Sequence, residues 1–498
     1  MSEESTSRLV LAAEDCEPAR FEELHRFTSK GDRRIISNLL AHGPVLLKGG
    51  RGSGKSALMI AASRRLDPIV QEASAVGIYM SLRHAPLLKS SGDRYAKILC
   101  EIVIREVRKT LGERAIDFDP IPNIETVQLG LVDLAARLQK RIVLFFDDAA
   151  HLGREASLED FFDIYRMFSS SSVSCKASIY PGVTRFGTRF DVYNDATVVD
   201  LLRSEELPDF ADSFSEILEA RCSEEFGTQR FSQTLSQKVV AAFLAQSCLG
   251  NMRGFIFACN TLHKICSDGR TIGLPEVSET LIDLARNYYW PLLDEIKPKL
   301  GMYEPMVESA REIAEIIFSE CGQKLNNPRD ILVHRELDEK YSKPLQILEY
   351  SGFLSKREAS RALKSGGRGA RYALNLCCLL ETTIGSRLTK AIFDHWCKAT
   401  REDEVQFSRG SKLVEVSTPL TPSVESLAIF SSTIDKLQKS KSYPYGLSAQ
   451  KLEVLRVAGF ETVGALAEAT DDALDQVPSI GVAMVQKIRN VLGQAIWM

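Results

Sequence analysis

The sequence predicts a parallel α/β domain at the front, then an all-helical region, a helix-rich unit closed by two strands, and a small helical unit at the end. Two observations carry the α/β assignment. Between about Phe21 and Ser204, short apolar runs alternate with amphipathic segments such as Tyr95–Ile104. The runs are Pro44–Lys48, Val76–Leu82, Arg141–Phe146, Lys176–Tyr180 and Thr197–Leu201, and their β-branched character suits parallel strands covered on both faces. The second observation is Gly49-Gly50-Arg51-Gly52-Ser53-Gly54-Lys55-Ser56, which fits G-x-x-x-x-G-K-[ST] at every fixed position.

This motif lies between the run Pro44–Lys48 and the helix start Ala57–Ala62. Glycines let successive backbone N–H groups turn inward around a phosphate. Lys55 brings a point charge to the β- and γ-phosphates, Ser56 offers a hydroxyl to Mg²⁺, and the helix N-terminus adds favourable partial charge. All eight residues are therefore assigned to the nucleotide. A Gly-rich turn before an ordinary helix would not account for a full match in that context. A second motif agrees with the first. Arg141–Asp148 is an apolar strand ending in two carboxylates. Phosphoryl transfer needs a carboxylate beside the metal and a group that orients the attacking water. Asp147 takes the metal role with Ser56, and Asp148 the water role. ATP and Mg²⁺ are the expected cofactors and ATP hydrolysis the expected activity.

At 498 residues the chain exceeds one ordinary core. Its pattern divides into a polar tail (1–20), the phosphate-loop core (21–204), a helical lid (205–290), a third unit (300–385), a helix and linker (386–442) and a compact helical end (443–498). In the third unit, three helical segments precede the strands Gly352–Leu354 and Tyr372–Leu376, which enclose a Gly-rich basic loop. That order reads as a winged helix. Thr418-Pro419-Leu420-Thr421-Pro422 reads as extended linker. Hydrophobic and charged fractions of 44% and 26% are those of a soluble globular protein. A net charge of −4 argues against coating nucleic acid with the whole surface and leaves room for a local basic patch. Eleven scattered cysteines, including the adjacent Cys377-Cys378, read as reduced, mostly buried thiols of a cytoplasmic protein. The acidic start Met1-Ser2-Glu3-Glu4 predicts no signal peptide, and no apolar run approaches the roughly 20 residues of a membrane helix.

Taken in order, the phosphate loop, the strand ending in Asp147-Asp148, the helical lid and the winged helix resemble AAA+ ATPases of the origin-recognition type over roughly residues 21–385. Within the lid, Gly250-Asn251-Met252-Arg253-Gly254 looks like that family's Gly-x-x-Arg signature. The resemblance implies that Arg253 reaches the γ-phosphate as the second sensor. It further implies a polar sensor near Ser178 or Tyr180 and an arginine finger offered to a neighbouring subunit. Arg185 and Arg189 are the nearest finger candidates, so a homo-oligomer or a partner ATPase is implied as well. Family members usually have Asp-Glu where this chain has Asp147-Asp148. Asp-Asp is also what signalling NTPases of the related STAND class tend to show, so the resemblance implies ATP binding more directly than fast hydrolysis.

The wing, Lys356 to Arg371, holds six basic residues and one acidic one. Lys356, Arg357, Arg361, Lys364, Arg368 and Arg371 suit phosphate contacts, which position a protein on DNA without reading sequence. The helix from about Ser342 to Tyr350 would be the recognition helix. The C-terminal unit resembles a tandem helix-hairpin-helix domain, with hairpins at Gly446–Leu452 and Val477–Ala483. That resemblance implies a DNA phosphate at the Gly481 turn, assisted by Lys487. Ser448 and Ser479 stand where the family usually has glycine. Two function classes fit: an ATP-dependent machine acting on or assembling at DNA, and an ATP-triggered oligomerising switch that recruits an effector protein.

Overall fold

Strands β1 (Val45–Lys48), β2 (Ala75–Ser81), β3 (Arg141–Ala150), β4 (Val173–Ile179) and β5 (Thr197–Asp200) pair in parallel in the order β2-β3-β4-β1-β5. This is the arrangement in a computed structural model that describes residues 13–497, except 68–72, 84–86, 88, 89, 116, 151–154, 184, 185, 187, 188, 223–229, 325, 326, 365, 384, 399–403, 420–427 and 441–445. Each expected run is a strand. In β3, side chains alternate between two apolar layers. Ile142, Leu144 and Phe146 pack with Leu99, Val103, Leu131 and Phe161 on one face. Val143 and Phe145 pack with Phe21, Ile36, Leu58 and Met59 on the other. The sheet is thus covered on both sides, as a parallel sheet requires. The pairing of β3 with β4 shifts register between Phe146 and Ala150, and Asp147 and Asp148 fall in that shift.

Residues 13–24, expected within or beside a polar tail, carry a short turn (Ala13–Asp15) and a helix (Pro18–Leu24) that buries Phe21 and Leu24 against the sheet layer. After β5 come the helices Phe210–Cys222, Gln237–Ser247, Met252–Ile265 and Leu274–Leu284. The next unit orders helix Met306–Gly322, β6 (Asp330–His334), helices Arg335–Lys340 and Ser342–Ser351, β7 (Leu354–Ala362), β8 (Arg368–Leu374) and helices Leu376–Thr382 and Lys390–Cys397. Strand β9 (Glu404–Phe407), which the sequence reading placed in a linker, pairs in parallel with β6 and completes a sheet of order β7-β8-β6-β9.

The lid and this unit do not have separate cores. Phe214, Phe243, Phe255 and Tyr289 belong to the same apolar cluster as Phe318, Ile331, Tyr350, Phe353 and Trp396. Gln246 Nε2 donates to Trp396 O at 2.9 Å inside it. The two therefore form one packed body set against the α/β core. The C-terminal helices Ala449–Val457, Val463–Glu468, Asp471–Asp475 and Val482–Trp497 build a further small core. Ile429, Ile434 and Leu437 join it from ahead of residue 443, where this unit was expected to begin. The ten cysteines described are free and nine are buried. No helix among the described residues is long and apolar enough to cross a membrane.

The contact between β2 and the helix Lys55–Arg65 depends on Gly77. A Cβ there would lie 2.8 Å from Ser63 O and 3.0 Å from the Leu66 Cβ. Gly77→Ala should therefore destabilise the core by about 1–3 kcal/mol, the usual cost of overpacking. Urea unfolding followed by circular dichroism checks this; an unchanged midpoint would mean that the strand and helix are not so closely apposed.

Candidate functional site

The phosphate loop leaves β1 and enters the helix Lys55–Arg65 through Gly54, whose φ of 96° lies in the left-handed region. Gly52 also has positive φ, 75°, and a Cβ there would stand 2.6 Å from the Arg253 Cβ. The loop is gripped from several directions. Lys55 Nζ, buried, donates to Gly49 O at 2.7 Å and Gly50 O at 3.0 Å, and lies 3.9 Å from the Tyr180 ring centroid. Arg253 N–H donates to Gly52 O at 3.0 Å. Asn251 caps the lid helix by accepting from Gly254 N–H, while its Nδ2 donates to Arg51 O at 2.6 Å. Arg203 donates to Ser53 O and pairs with Asp32 at 2.8 Å. Arg51 turns away from the helix start. Its N–H donates to Tyr350 O at 3.0 Å and its guanidinium meets Glu295 at 2.8 Å.

Opposite Lys55, the carboxylates gather. Ser178 Oγ donates to Asp147 Oδ1 at 2.6 Å and accepts from Asp148 N–H at 2.7 Å. Asp148 holds φ 53°, and its carboxylate accepts from Tyr180 Oη at 3.0 Å and Arg83 Nε at 2.5 Å. Arg83 also reaches Glu14 Oε2, at 2.9 Å. Burial works to raise the Asp147 pKa, but Arg83 and hydrogen bonds from Ser178, Ser56 and Tyr79 hold it below the usual range. Burial and the neighbouring Asp147 push Asp148 upward. Burial lifts Glu14 to about 8 and lowers Lys55 to about 8. Tyr79 Oη lies 2.8 Å from Glu14 Oε1 and 2.7 Å from Asp147 Oδ2. One hydroxyl has one proton, so Tyr79 can donate to only one of these two carboxylates at a time.

Glu14, Lys55, Ser56, Arg83, Asp148 and Tyr180 line one cavity, whose other end is walled by Leu24, His25, Phe27, Ile217, Met252 and Ile256. His25 stacks on Phe21 with ring centroids 4.1 Å apart. Its Nδ1 lies 3.0 Å from Phe21 O, and its Nε2 3.3 Å from Arg221 Nη2. A neutral ring protonated on Nδ1 satisfies both contacts. Burial first, then Arg221, pushes its pKa down to about 4.

Of the expected site residues, Arg51, Gly52, Gly54, Lys55, Ser56, Asp148, Arg253 and Tyr180 line this cavity, while Asp147 and Ser178 sit behind its wall, Asp147 bonded to Ser56 and Ser178 to Asp147. Arg189 is exposed, and Arg185 lies outside the described residues. The basic hairpin departs from the sequence reading. The side chains of Arg357 and Arg371 are buried: Arg357 pairs with Glu205 at 3.0 Å, and Arg371 with Glu206 at 3.2 Å, Asp330 at 3.4 Å and Glu358 at 3.0 Å. Lys356 pairs with Asp338, and Arg361 with Glu404 and Glu358. Of the six basic residues, only Lys364 and Arg368 are exposed, at the tip, and Arg368 bonds to Ser360. The expected recognition helix, Ser342–Ser351, is also covered, with Lys343 Nζ donating to Gly182 O at 3.0 Å and Tyr350 packed on Tyr180. At the C-terminal hairpin, Gly481 and Lys487 are exposed. The sequence reading missed Glu14, Tyr79, Arg83 and Arg203. One signal was available: ligands of open α/β sheets sit beyond the carboxyl ends of strands, and Arg83 is the first charged residue past β2.

No protein-family model and no curated protein matches the chain. Among solved structures, the Aeropyrum pernix ORC1 protein in complex with DNA is 17% identical, covering 78% of this chain and 95% of its own, at a TM-score of 0.33. The Walker-type ATPase PABY2304 of Pyrococcus abyssi is 14% identical, covering 72% and 95%, at 0.42. Domain III of the Thermotoga maritima replication initiation protein DnaA is 16% identical, covering 54% and 98%, at 0.32. Similarity at these TM-scores carries no inference about function, which rests on the site itself.

Because the folded His25 pKa is depressed from 6.5 to about 4, the unfolded chain takes up its proton first as pH falls. Stability from this group is full above about pH 6.5 and is lost as pH drops toward about 4, by at most about 3 kcal/mol. Urea titrations across that window should show a slope that His25→Gln flattens; identical slopes would place the ring in solvent.

Proposed function

We propose that this protein binds ATP with Mg²⁺ in the cavity between the α/β core and the lid, hydrolyses it, and acts on or assembles at DNA. One observation carries the ATP reading: Lys55, Ser56, Asp148 and Arg253 line one cavity from a phosphate loop, a strand end and a lid helix, and Asp147 is bonded to Ser56 at its wall. The donor set fits magnesium, a hard cation that prefers oxygen ligands. Carboxylate oxygens of Glu14, Asp147 and Asp148 lie within 4.8 Å of one another, and the Ser56 hydroxyl bonds to Asp147. Ser56 and Asp147 would hold the ion, which offsets phosphate charge when bound. Lys55 would exchange its two loop carbonyls for the β- and γ-phosphates. Asp148 would orient the attacking water, and Arg253 would carry the γ-phosphate contact to the lid.

The loop is also where the nucleotide would be felt. Lid and hairpin unit share a core and touch the loop through Asn251, Arg253, Tyr350 and Glu295, so loop movement would shift both together. We read the hairpin unit as a winged helix and the C-terminal unit as helix-hairpin-helix-like. Lys364, Arg368, Gly481 and Lys487 are the exposed phosphate-facing candidates. One observation favours a second reading, a nucleotide-gated switch that recruits an effector protein: the expected recognition helix packs on the α/β core through Lys343 and Tyr350, and two wing arginine side chains are buried in ion pairs within the chain.

Lys55→Ala should abolish or severely weaken ATP binding in calorimetry, since it removes the cation at the β/γ position; unchanged affinity would mean that the loop is not the site. Neutralising Lys364 and Arg368 together should reduce the slope of log affinity against log salt by roughly 0.9 for each duplex phosphate no longer neutralised. Arg357→Gln should instead destabilise the fold by about 3 kcal/mol, because Glu205 loses a buried partner. If the protein binds no DNA at low salt with ATP present, the switch reading replaces the DNA reading.

A further inference from the structure

We infer that Arg83 is a catalytic residue of the nucleotide site, an arginine supplied by the same chain to the γ-phosphate; the inference rests on the ATPase reading above. Arg83 stands just past the carboxyl end of β2. Ser81 is the register partner of Asp147, and Leu82 N–H donates to Asp147 O at 2.9 Å, so the strand end is pinned beside the acidic pair. Its guanidinium, about one-tenth exposed at 11%, lines the same cavity wall as Lys55, Ser56 and Arg253. It contacts Asp148 at 2.5 Å and Glu14 at 2.9 Å. A guanidinium has five N–H donors in a planar fork, so it can keep Glu14 and still meet a phosphate oxygen.

Charge decides which partner it keeps. While Arg83 is bound to Asp148, that carboxylate is neutralised and poorly placed to accept a water proton. A divalent cation held by Ser56 and Asp147 would repel the guanidinium from Asp148, and the γ-phosphate would attract it. The exchange frees Asp148 and moves a positive fork to the group where charge redistributes during transfer. In that step the water oxygen bonds to Pγ as the bond from Pγ to the bridging oxygen breaks. The bonding electron pair leaves with ADP, and one water proton passes to Asp148. The exposed Arg189 does not line this cavity.

The test uses the full chain and three probes: ADP, ADP with magnesium and aluminium fluoride, and ATP. Arg83→Gln should bind ADP within about threefold of the parent. It should lose at least about tenfold of the tightening that aluminium fluoride gives, and its kcat should fall about 10³-fold, as for other arginine fingers. Parent turnover per subunit should not rise with protein concentration. Arg83→Lys keeps the charge near Asp148 and Glu14 without the fork. It should fold as the parent does and still lose the fluoride effect, which separates catalysis from support of the fold. If either folded variant keeps both the tightening and the parent kcat, Arg83 is only a structural ion-pair partner and the inference fails while the ATPase reading stands. Turnover per subunit that rises with concentration would overturn the inference in favour of an arginine from a neighbour. A parent that binds ATP without hydrolysing it, or a Lys55→Ala variant that binds ATP normally, would overturn both.

Discussion

The backbone of the phosphate loop is engaged by residues from elsewhere in the fold and by the loop's own lysine. Tyr350 takes the Arg51 N–H, Asn251 takes the Arg51 carbonyl, Arg253 takes the Gly52 carbonyl, and Lys55 takes those of Gly49 and Gly50. Buried backbone groups must be paired, so a loop without side-chain bulk becomes a junction that core, lid and hairpin unit all satisfy. A phosphate that drew Lys55 away from its two carbonyls would leave them to find new partners. On the reading proposed above, the disturbance would reach Tyr350 and Asn251 within a few bonds. Because lid and hairpin unit share one apolar core, neither would answer alone.

Charge is organised on the same principle. Buried ions are costly unless paired, and here partners come from distant parts of the chain. Asp148 has Arg83, Arg51 has Glu295, and Arg203 has Asp32. Burial first, then the neighbouring Asp147 and Asp148, push Glu14 upward to about 8 against the pull of Arg83. A second network, with Arg329, Arg357 and Arg371 facing Glu205, Glu206 and Asp330, ties the segment after β5 to the hairpin unit. The wing's positive charge is therefore largely spent within the chain.

The parts legible in the sequence are those fixed by local spacing. The phosphate loop and Asp147-Asp148 are contiguous motifs, and the five core strands are continuous apolar runs. Glu14, Tyr79 and Arg83 were not legible together, because only the sheet order β2-β3 and the packing of the N-terminal turn bring them to one place. Arg357 and Arg371 were misread for a related reason. A run of basic residues shows its charge but not the acids that meet it, and most of those acids lie far away in the chain. Strand β9 is short and at a sheet edge, and its sequence, Glu404-Val405-Gln406-Phe407, resembles the linker around it.

The most direct test of the loop as a junction is hydrogen exchange on the full chain with and without ATP. The amide of Arg51 is bonded to Tyr350 O, and the helix Ser342–Ser351 ends at that contact. If nucleotide is felt through the junction, exchange should change in the phosphate loop and in residues 342–352 over the same range of ATP concentration. Protection of residues 49–56 with unchanged exchange in 342–352 would contradict the account, and would leave the hairpin unit indifferent to the nucleotide.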